Sequence, residues 1–365
     1  MKYAILLGAL LAVLAGKGMA APAVVPAYHL VDLGTWGGSK GVATGINNAG
    51  VIVGWTQAGT WSQAVLHNVA ASALTYLETE AGGASAAYGI NDAGVVVGQR
   101  NAARGNSHAM RWDGPNNGEP PGIHYPDETS YASAISNSGL TAGTIDSSAV
   151  MWTLNNEQTI QLNPSSASAA YGVNENGLVV GAASDGVAGP SHATQWLGGV
   201  QTDLGTLSGA DSSAAYGVND AGQVVGASTF SAGGHHAVLW SGGQASDLGT
   251  LGGANSRAND INASGLIVGY SDVVDPLQWR HAALWNGSTQ IDLNSALIGG
   301  LGNFANLAEA TAINDLGQIV GYGSTLDGST HAFLLTATIP EPSTCAMTLA
   351  GLALFGMATR RRQRG

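Results

Sequence analysis

"AYGVNDAGQVVG", residues Ala215–Gly226, decides the fold, because close copies of this stretch recur along the chain. An Asn-Asp-x-Gly turn between two short apolar runs is typical of a β-hairpin, in which Gly takes the positive φ that the turn requires. A period in the low forties predicts repeated supersecondary units rather than independent domains. The turn glycines of the seven copies are Gly50, Gly94, Gly139, Gly177, Gly222, Gly265 and Gly317.

Each unit carries two further segments. A His-Ala-x-x-Trp segment follows the hairpin, and an Asp-Leu-Gly-Thr segment follows at Asp203 and Asp247, with another copy ahead of the first hairpin at Asp32. Four strands in each unit of this length are typical of a β-propeller blade. The His-Ala-x-x-Trp copies begin at His108, His192, His236 and His281, with degenerate versions at Gln63, Ser148 and His331.

We therefore expect an all-β, seven-bladed β-propeller of four-stranded blades over residues 28–338. The chain opens with the last strand type, at His29–Gly38, and its seventh unit ends without one. The N-terminal strand is thus expected to complete the seventh blade and close the ring, which removes exposed sheet edges. An open β-solenoid of stacked short strands is the alternative.

Two residue types have predicted packing roles. The second glycine of each hairpin, such as Gly226, is expected where a methyl group would crowd the neighbouring strand. The tryptophans at one repeat position are expected to pack in the core: Trp152, Trp196, Trp240 and Trp285. Four others break the repeat and are the candidate contacts for sugar rings, because aromatic faces suit apolar sugar surfaces: Trp36, Trp55, Trp61 and Trp279.

Both ends of the chain carry targeting features. Lys2, an apolar run and small residues near Ala20 predict a secretory signal peptide over residues 1–20, with an N-terminal membrane helix as the alternative. At the other end, residues 340–365 contain an apolar run that is short for a bilayer, followed by basic residues that would stay in the cytoplasm. The sorting residues in this tail are Pro340, Glu341, Pro342, Arg360, Arg361 and Arg362.

The order Pro-Glu-Pro, apolar run, arginine cluster resembles the PEP-CTERM sorting signal of Gram-negative bacteria. This resemblance implies recognition by an exosortase-type sorting enzyme, transient anchoring in the inner membrane, removal of the tail, and delivery to the cell surface or extracellular matrix. An ordinary C-terminal anchor is the alternative. The repeats resemble the bacterial extracellular HAF-repeat family, named for a His-Ala-Phe such as His331–Phe333 here. That family implies an extracellular location and no common activity.

Composition excludes several function classes. The only cysteine, Cys345, lies in the tail, so the exported body has neither a disulfide nor thiol chemistry. The chain has 12 Lys and Arg against 24 Asp and Glu, and half of the basic residues lie in the two terminal segments. Because phosphate binding needs clustered Lys and Arg, nucleic acid is excluded as a partner, and polysaccharide or divalent cations fit better.

No catalytic residue, metal site or cofactor is predicted. One His in each unit spreads these side chains around the ring, whereas zinc needs converging ligands, so each His is expected to hydrogen-bond to a neighbouring turn. Calcium stays open as a ligand of turn oxygens. The irregular insertion at residues 122–131, with nearby Glu119, is where we would look for catalysis, through His124, Asp127 and Glu128. It is expected to be a solvated loop.

These features predict an exported, non-catalytic binding or structural module for polysaccharide or matrix protein. The alternative is a secreted glycan hydrolase or lyase with acidic residues in the central channel of the propeller.

Overall fold

The protein, described by a computed structural model, consists of β-strands joined by tight turns. The structure describes residues 27–77, 83–101, 106–114, 118–119, 128–153, 159–163, 167–184, 189–274 and 280–338. Over these ranges there is no helix, and hence none that could cross a membrane. The prediction of an all-β fold is confirmed. Residues Tyr28–Thr338 form one compact unit, and the predicted signal peptide and sorting tail lie outside the described residues.

The described strands fall into seven sheets, which we number along the chain. Sheets 1 to 6 are β2–β5, β6–β9, β10–β13, β14–β17, β18–β21 and β22–β25, and sheet 7 contains β27, β28, β29 and β1. A short parallel bridge joins sheets 5 and 6, and β26 pairs with the free edge of β1. The strands are β1 (Tyr28–Gly34), β2 (Gly41–Ile46), β3 (Val51–Ala58), β4 (Trp61–Asn68), β5 (Ala73–Tyr76), β6 (Ser85–Ile90), β7 (Val96–Asn101), β8 (Ser107–Trp112), β9 (Gly118–Glu119), β10 (Ser130–Ile135), β11 (Thr141–Ile145), β12 (Ser148–Trp152), β13 (Thr159–Gln161), β14 (Ser168–Val173), β15 (Val179–Ser184), β16 (Ser191–Leu197), β17 (Val200–Gly205), β18 (Ser212–Val218), β19 (Val224–Thr229), β20 (His235–Ser241), β21 (Gln244–Asp247), β22 (Gly252–Ile261), β23 (Leu266–Val273), β24 (Arg280–Asn286), β25 (Thr289–Asp292), β26 (Leu297–Ile298), β27 (Phe304–Ile313), β28 (Ile319–Thr325) and β29 (Thr330–Ala337).

Strand β1 belongs to the sheet built by the C-terminal repeat. It runs antiparallel to β29, with Tyr28 opposite Ala337 and Val31 opposite Leu334, and the register shifts between Asp32 and Gly34. The N-terminal strand is therefore the fourth strand of sheet 7, at the position that the Asp-Leu-Gly strand takes in the other complete repeats.

The hairpins behave as their glycines predict. All seven turn glycines have φ between 74° and 83°, where a side chain is disfavoured. At the second glycine of each hairpin, an added Cβ would lie 1.9 to 2.2 Å from a carbonyl oxygen of the facing strand. Both glycine predictions are confirmed. The crowded glycines are Gly54, Gly98, Gly143, Gly181, Gly226, Gly269 and Gly321.

The apolar core lies between successive sheets. Trp152, Trp196, Trp240 and Trp285 are at most 3% exposed, which confirms their predicted packing role. One cluster of buried residues lies at each junction from sheets 1 and 2 through to sheets 6 and 7. A seventh cluster joins the last sheet to the first, because Ile52 of sheet 1 packs with Val320 and Leu334 of sheet 7.

Candidate functional site

The seven hairpin turns line one shared cavity of about 220 Å³. The first strands of the seven sheets line a second cavity, of about 290 Å³, and we call the space that these turns and strands enclose the channel. In most turns the asparagine side-chain amide donates a hydrogen bond to the backbone carbonyl of the next turn. Ser136 stands where the other turns have asparagine, and its hydroxyl pairs with Ser138 instead. The links, with N to O distances, are Asn47 to Asn91 (3.0 Å), Asn91 to Ser136 (3.1 Å), Asn174 to Asn219 (3.0 Å), Asn219 to Asn262 (3.1 Å), Asn262 to Asn314 (3.1 Å) and Asn314 to Asn47 (2.9 Å).

The carboxylates in these turns are engaged by backbone groups. Asp92 accepts from the N–H of Asn48 at 2.8 Å, and Asp315 accepts from the N–H of Ala263 at 2.9 Å. Asp220 accepts from the N–H of Glu175 at 3.0 Å. In the part of the chain that the structure describes, no three His, Cys, Asp or Glu side chains are grouped to hold a metal ion. These carboxylates therefore fix one turn to the next.

Four of the repeated histidines are paired with an aspartate of the adjacent strand, not with a neighbouring turn as the sequence suggested. Each of these aspartates also accepts a hydrogen bond from the backbone N–H two residues further along the chain. Asp203, for example, accepts from the N–H of Gly205 at 2.7 Å. The two repeated segments thus lock together, and the histidines have a structural role. The Nδ1 to carboxylate distances are 2.8 Å for His192 and Asp203, and 2.9 Å each for His236 and Asp247, His281 and Asp292, and His331 and Asp32.

An arc of tyrosines lies along the channel, on the first strands of sheets 2 to 5. We call Tyr88, Tyr131, Tyr171 and Tyr216 the tyrosine arc; all four are partly buried. The rings of Tyr171 and Tyr216 lie 5.4 Å apart, and three of the tyrosines line a channel cavity of about 290 Å³. None of the four hydroxyls hydrogen-bonds to another described residue. The arc therefore presents aromatic faces and unengaged hydroxyls.

In sheet 3 the strand position of Tyr88, Tyr171 and Tyr216 is taken by Ser133, and Tyr131 lies two residues earlier. Elsewhere around the channel, this position has a different role. Thr44 and Thr311 donate through their hydroxyls to the backbone carbonyls of Ala87 and Ala43, each at 2.8 Å. The amide of Asn259 makes the corresponding bond to Ala310. These three side chains therefore join neighbouring sheets by hydrogen bonds, whereas the hydroxyls of the tyrosine arc make no such bond.

The phenols of Tyr88 and Tyr171 remain neutral. Burial raises the pKa of Tyr88 to about 12, with a further contribution from nearby Tyr131. Burial likewise raises the pKa of Tyr171 to about 12, with contributions from Tyr131 and Tyr216. A neutral phenol both donates and accepts hydrogen bonds, as a polyhydroxylated ligand requires.

One end of the arc meets a charged cluster. The guanidinium of Arg257 lies 5.1 Å from the centre of the Tyr216 ring and 5.2 Å from that of Tyr270. Arg280 stacks over Tyr270 at 3.7 Å. Glu309, which is buried, accepts from Arg257 at 2.6 Å and from Arg280 at 3.1 Å, so its charge is compensated inside the cluster.

Asp260 lines the channel at a strand position that the other six units fill with Gly or Ala. Its carboxylate accepts from the backbone N–H of Ile261 at 2.8 Å and of Ile313 at 2.9 Å. Burial raises its pKa to about 6, against the lowering effect of these two hydrogen bonds. Sequence reasoning missed this residue, although "NDIN" where other repeats read "YGIN" or "YGVN" was a visible signal.

The structure separates the tryptophans suggested for sugar contact. Trp36 is only 4% exposed; its indole N–H donates to Nδ1 of His67 at 3.1 Å, and its ring packs in the cluster between sheets 7 and 1. It therefore has no free face for a sugar. Trp55 is half-buried, and Trp61 is 53% exposed. Trp279 lies outside the described residues, as do His124 and Asp127 of the insertion.

The PEP-CTERM protein-sorting motif matches residues 338–362. The chain carries this sorting signal. The predicted C-terminal signal, which contains Pro340, Glu341, Pro342 and the arginines Arg360–Arg362, is thereby confirmed, and it indicates export and processing by an exosortase. Nearly all of the motif lies outside the described residues.

No curated protein matches the chain. A crystal structure of TolB from Acinetobacter baumannii is similar at a TM-score of 0.42 and 13% sequence identity, covering 78% of this chain and 79% of that one. Likeness at this level carries no argument about fold or function.

Proposed function

We propose that this exported protein is a seven-bladed β-propeller, closed by its N-terminal strand, that acts at the cell surface or in the extracellular matrix as a non-catalytic binding module for polysaccharide. Ring closure is supported by the pairing of β1 with β29 and by the hydrogen bond from the Asn314 amide to Asn47. The apolar cluster between sheets 7 and 1 gives the same support. The resemblance to HAF repeats agrees with an extracellular site of action.

The observation that carries the binding proposal is the tyrosine arc. Its rings lie in consecutive sheets, so a chain of sugar rings would meet successive aromatic faces. Half-buried phenols with unengaged hydroxyls supply both apolar contact and hydrogen bonds, which is the combination found in small-molecule sites. The residues are set in sheet strands, which hold them more precisely than loops would.

An enzyme is the competing class, and Asp260 is the residue that favours it, since a carboxyl of raised pKa suits a general acid. Glycoside hydrolysis ordinarily needs a second carboxyl about 5 to 9.5 Å away. Both oxygens of Asp260 accept backbone hydrogen bonds, and Glu309 is neutralised by two arginines. These contacts favour binding over catalysis.

Retention on a column of the host's exopolysaccharide tests the proposal. The full chain is expected to be retained without shortening the polysaccharide. Tyr171→Ala and Tyr216→Ala should each weaken retention about fivefold, because an aromatic contact is worth about 1 kcal/mol. Tyr76→Ala is the matched aromatic control, because Tyr76 is an exposed tyrosine of β5 that does not line the channel, and it should leave retention unchanged.

Two results would contradict the proposal. New reducing ends that disappear in Asp260→Asn would establish catalysis. Failure of the wild-type chain to bind the polysaccharide would instead favour a matrix protein as the partner.

A further inference from the structure

A cleft of about 530 Å³ lies between sheets 3 and 4, within the roughly 300 to 1,000 Å³ range of small-molecule sites. Its walls come from β10 and β11 on one side and from β14, β15 and the start of β16 on the other. Tyr131 and Tyr171 of the tyrosine arc both line it, so the cleft opens beside the middle of the arc. Thr144, Asp146 and Ser184 supply polar groups.

Thr144 is the residue that points to a ligand. It is 2% exposed and lines the cleft, yet its hydroxyl has no hydrogen-bond partner in the described protein. Burying an unpaired hydroxyl is unfavourable, so such groups are uncommon in a folded chain. The hydroxyls of Thr153 and Thr159 are also buried and unpaired, but neither residue lines the cleft. Two threonines as buried as Thr144 are satisfied: Thr56 donates to the carbonyl of Thr35 at 2.6 Å, and Thr194 to that of His192 at 2.9 Å.

The rim of the cleft is a strained and firmly held turn. Asp146 and Ser147 have φ of 43° and 69°, a left-handed conformation that costs energy for residues with a side chain. The N–H of Thr129 donates to the Asp146 carboxylate, and the N–H of Asp146 donates to the carbonyl of Thr129, each at 2.9 Å. The N–H of Ser168 donates to the carbonyl of Ser147 at 2.8 Å, which ties the turn to sheet 4. The polar groups are therefore held in place before any ligand arrives.

The lining chemistry selects the ligand class. The cleft offers two phenol rings, several hydroxyls and one carboxylate, and no Lys or Arg is among the described residues that line it. An anionic sugar would place its charge near Asp146 in an already acidic protein, without a compensating cation. A neutral sugar can stack a C–H face on a phenol and hydrogen-bond its hydroxyls to Thr144, Ser184 and Asp146.

We propose that the cleft between sheets 3 and 4 binds one neutral sugar residue of a polysaccharide, with Thr144 and Asp146 as its hydrogen-bonding groups. This proposal rests on the proposed function, because it assigns a sugar-selective subsite within the polysaccharide surface. It also makes the cleft, and not the whole arc, the determinant of sugar type.

Affinity electrophoresis of the full chain tests the subsite, in gels containing dextran, galactomannan or alginate. Retardation is expected with at least one of the two neutral polysaccharides and to be weaker with alginate. Thr144→Val keeps the side-chain shape and removes the hydroxyl, so it should weaken binding at least fivefold without lowering Tm. Thr144→Ser restores the hydroxyl and should recover most of the binding.

Thr194→Val is the matched control, because Thr194 is equally buried and its hydroxyl is hydrogen-bonded. It should lower Tm and leave binding unchanged. Wild-type retardation that is insensitive to Thr144→Val but lost in Tyr216→Ala would overturn the subsite and leave the proposed function intact. Stronger retardation in alginate than in either neutral gel would also overturn it. No retardation in any of the three gels would contradict the proposed function together with the subsite.

Discussion

Nδ1 of His331 lies 2.9 Å from Oδ1 of Asp32, although 299 residues separate them in sequence. The same histidine-aspartate contact spans only 11 residues in three other sheets, where both partners come from one repeat. In sheet 7 this contact therefore joins the two ends of the folded body, whereas in the other three sheets it joins residues of a single repeat.

Deleting residues 29–38 removes most of β1 together with Asp32 and Trp36, and is expected to lower Tm by many degrees. The physical reason is that β29 loses its antiparallel partner and the cluster between sheets 7 and 1 loses buried surface. Calorimetry of the wild-type and deleted chains measures the change. An unaltered melting curve would contradict closure by the N-terminal strand.

Asp32→Asn tests the same junction with a minimal change. The pair is partly exposed, so its loss should cost at most about 1 kcal/mol. Asp247→Asn, in the equivalent local pair with His236, is the matched control and should cost a similar amount. A marked loss of stability on urea unfolding for Asp247→Asn, with none for Asp32→Asn, would mean that the N-terminal strand is undocked in solution.

Gly226→Ala is expected to destabilise the protein by about 3 kcal/mol or more, because its Cβ would lie 1.9 Å from the carbonyl oxygen of Ala214. Gly222→Ala, in the turn of the same hairpin, meets nothing within 4 Å and is strained only by its φ of 74°. It should cost about 1 kcal/mol. Denaturant titration of both variants checks this order, and equal losses would mean that close strand approach has no special weight.

Asn314→Ala and Asn314→Ser distinguish the two tasks of the turn asparagine. Its side-chain oxygen accepts from the N–H groups of Leu316 and Gln318, while its amide reaches the carbonyl of Asn47. Ser136 shows that a serine oxygen can accept within the turn, from the N–H of Leu140. Ala should therefore cost about 2 to 3 kcal/mol and Ser about 1 kcal/mol in urea unfolding. Equal losses would mean that the link between turns carries the whole effect.

Asp260 gives the protein a pH dependence of defined sign. Its folded-state pKa is about 6 against 3.8 in the unfolded chain, so between these values the native state holds a proton that the unfolded state has released. Stability should consequently fall as pH rises from about 4 to about 6. In Asp260→Asn this part of the slope should vanish, whatever the absolute loss of stability. Urea unfolding at half-unit pH steps measures it, and an unchanged slope would assign the titration elsewhere.

Asp292 provides a contrast of opposite sign. Burial alone would raise the pKa of Asp292, but hydrogen bonds from His281 and from the N–H of Asn294 lower it. Its stabilising contribution is present above the unfolded-state value of 3.8 and is lost as pH falls through the lower folded-state pKa. Asp292→Asn should therefore flatten the acid limb of the same stability profile, below about pH 4.

The features that the sequence predicted are those that leave a signature in residue type. A positive φ at Gly222 and a crowded backbone at Gly226 each demand glycine, so a recurring glycine identifies them. The partner of His192 could also have been predicted, because Asp203 follows it by 11 residues and the same spacing recurs in two other repeats. From the sequence we expected a neighbouring turn instead.

The tyrosine arc could not be read in the same way. Register shifts between Ala132 and Ala134, and between Ala170 and Gly172, interrupt the regular alternation of side chains on the strands that carry the arc. Which face Tyr171 occupies is therefore not fixed by counting residues. The burial of Trp36 depends on its own left-handed backbone, with φ of 56°, for which a lone tryptophan gives no warning.

The membership of β1 in sheet 7 also sets an order of assembly. Tyr28–Gly34 leaves the ribosome early, and its partner Thr330–Ala337 is among the last segments of the body to follow. A chain that stops short during synthesis or translocation keeps an unsatisfied β edge at its start, open to proteases and to aggregation. Only a polypeptide that extends through β29 can cover that edge, so the sheet is completed after nearly all of the body has been synthesised.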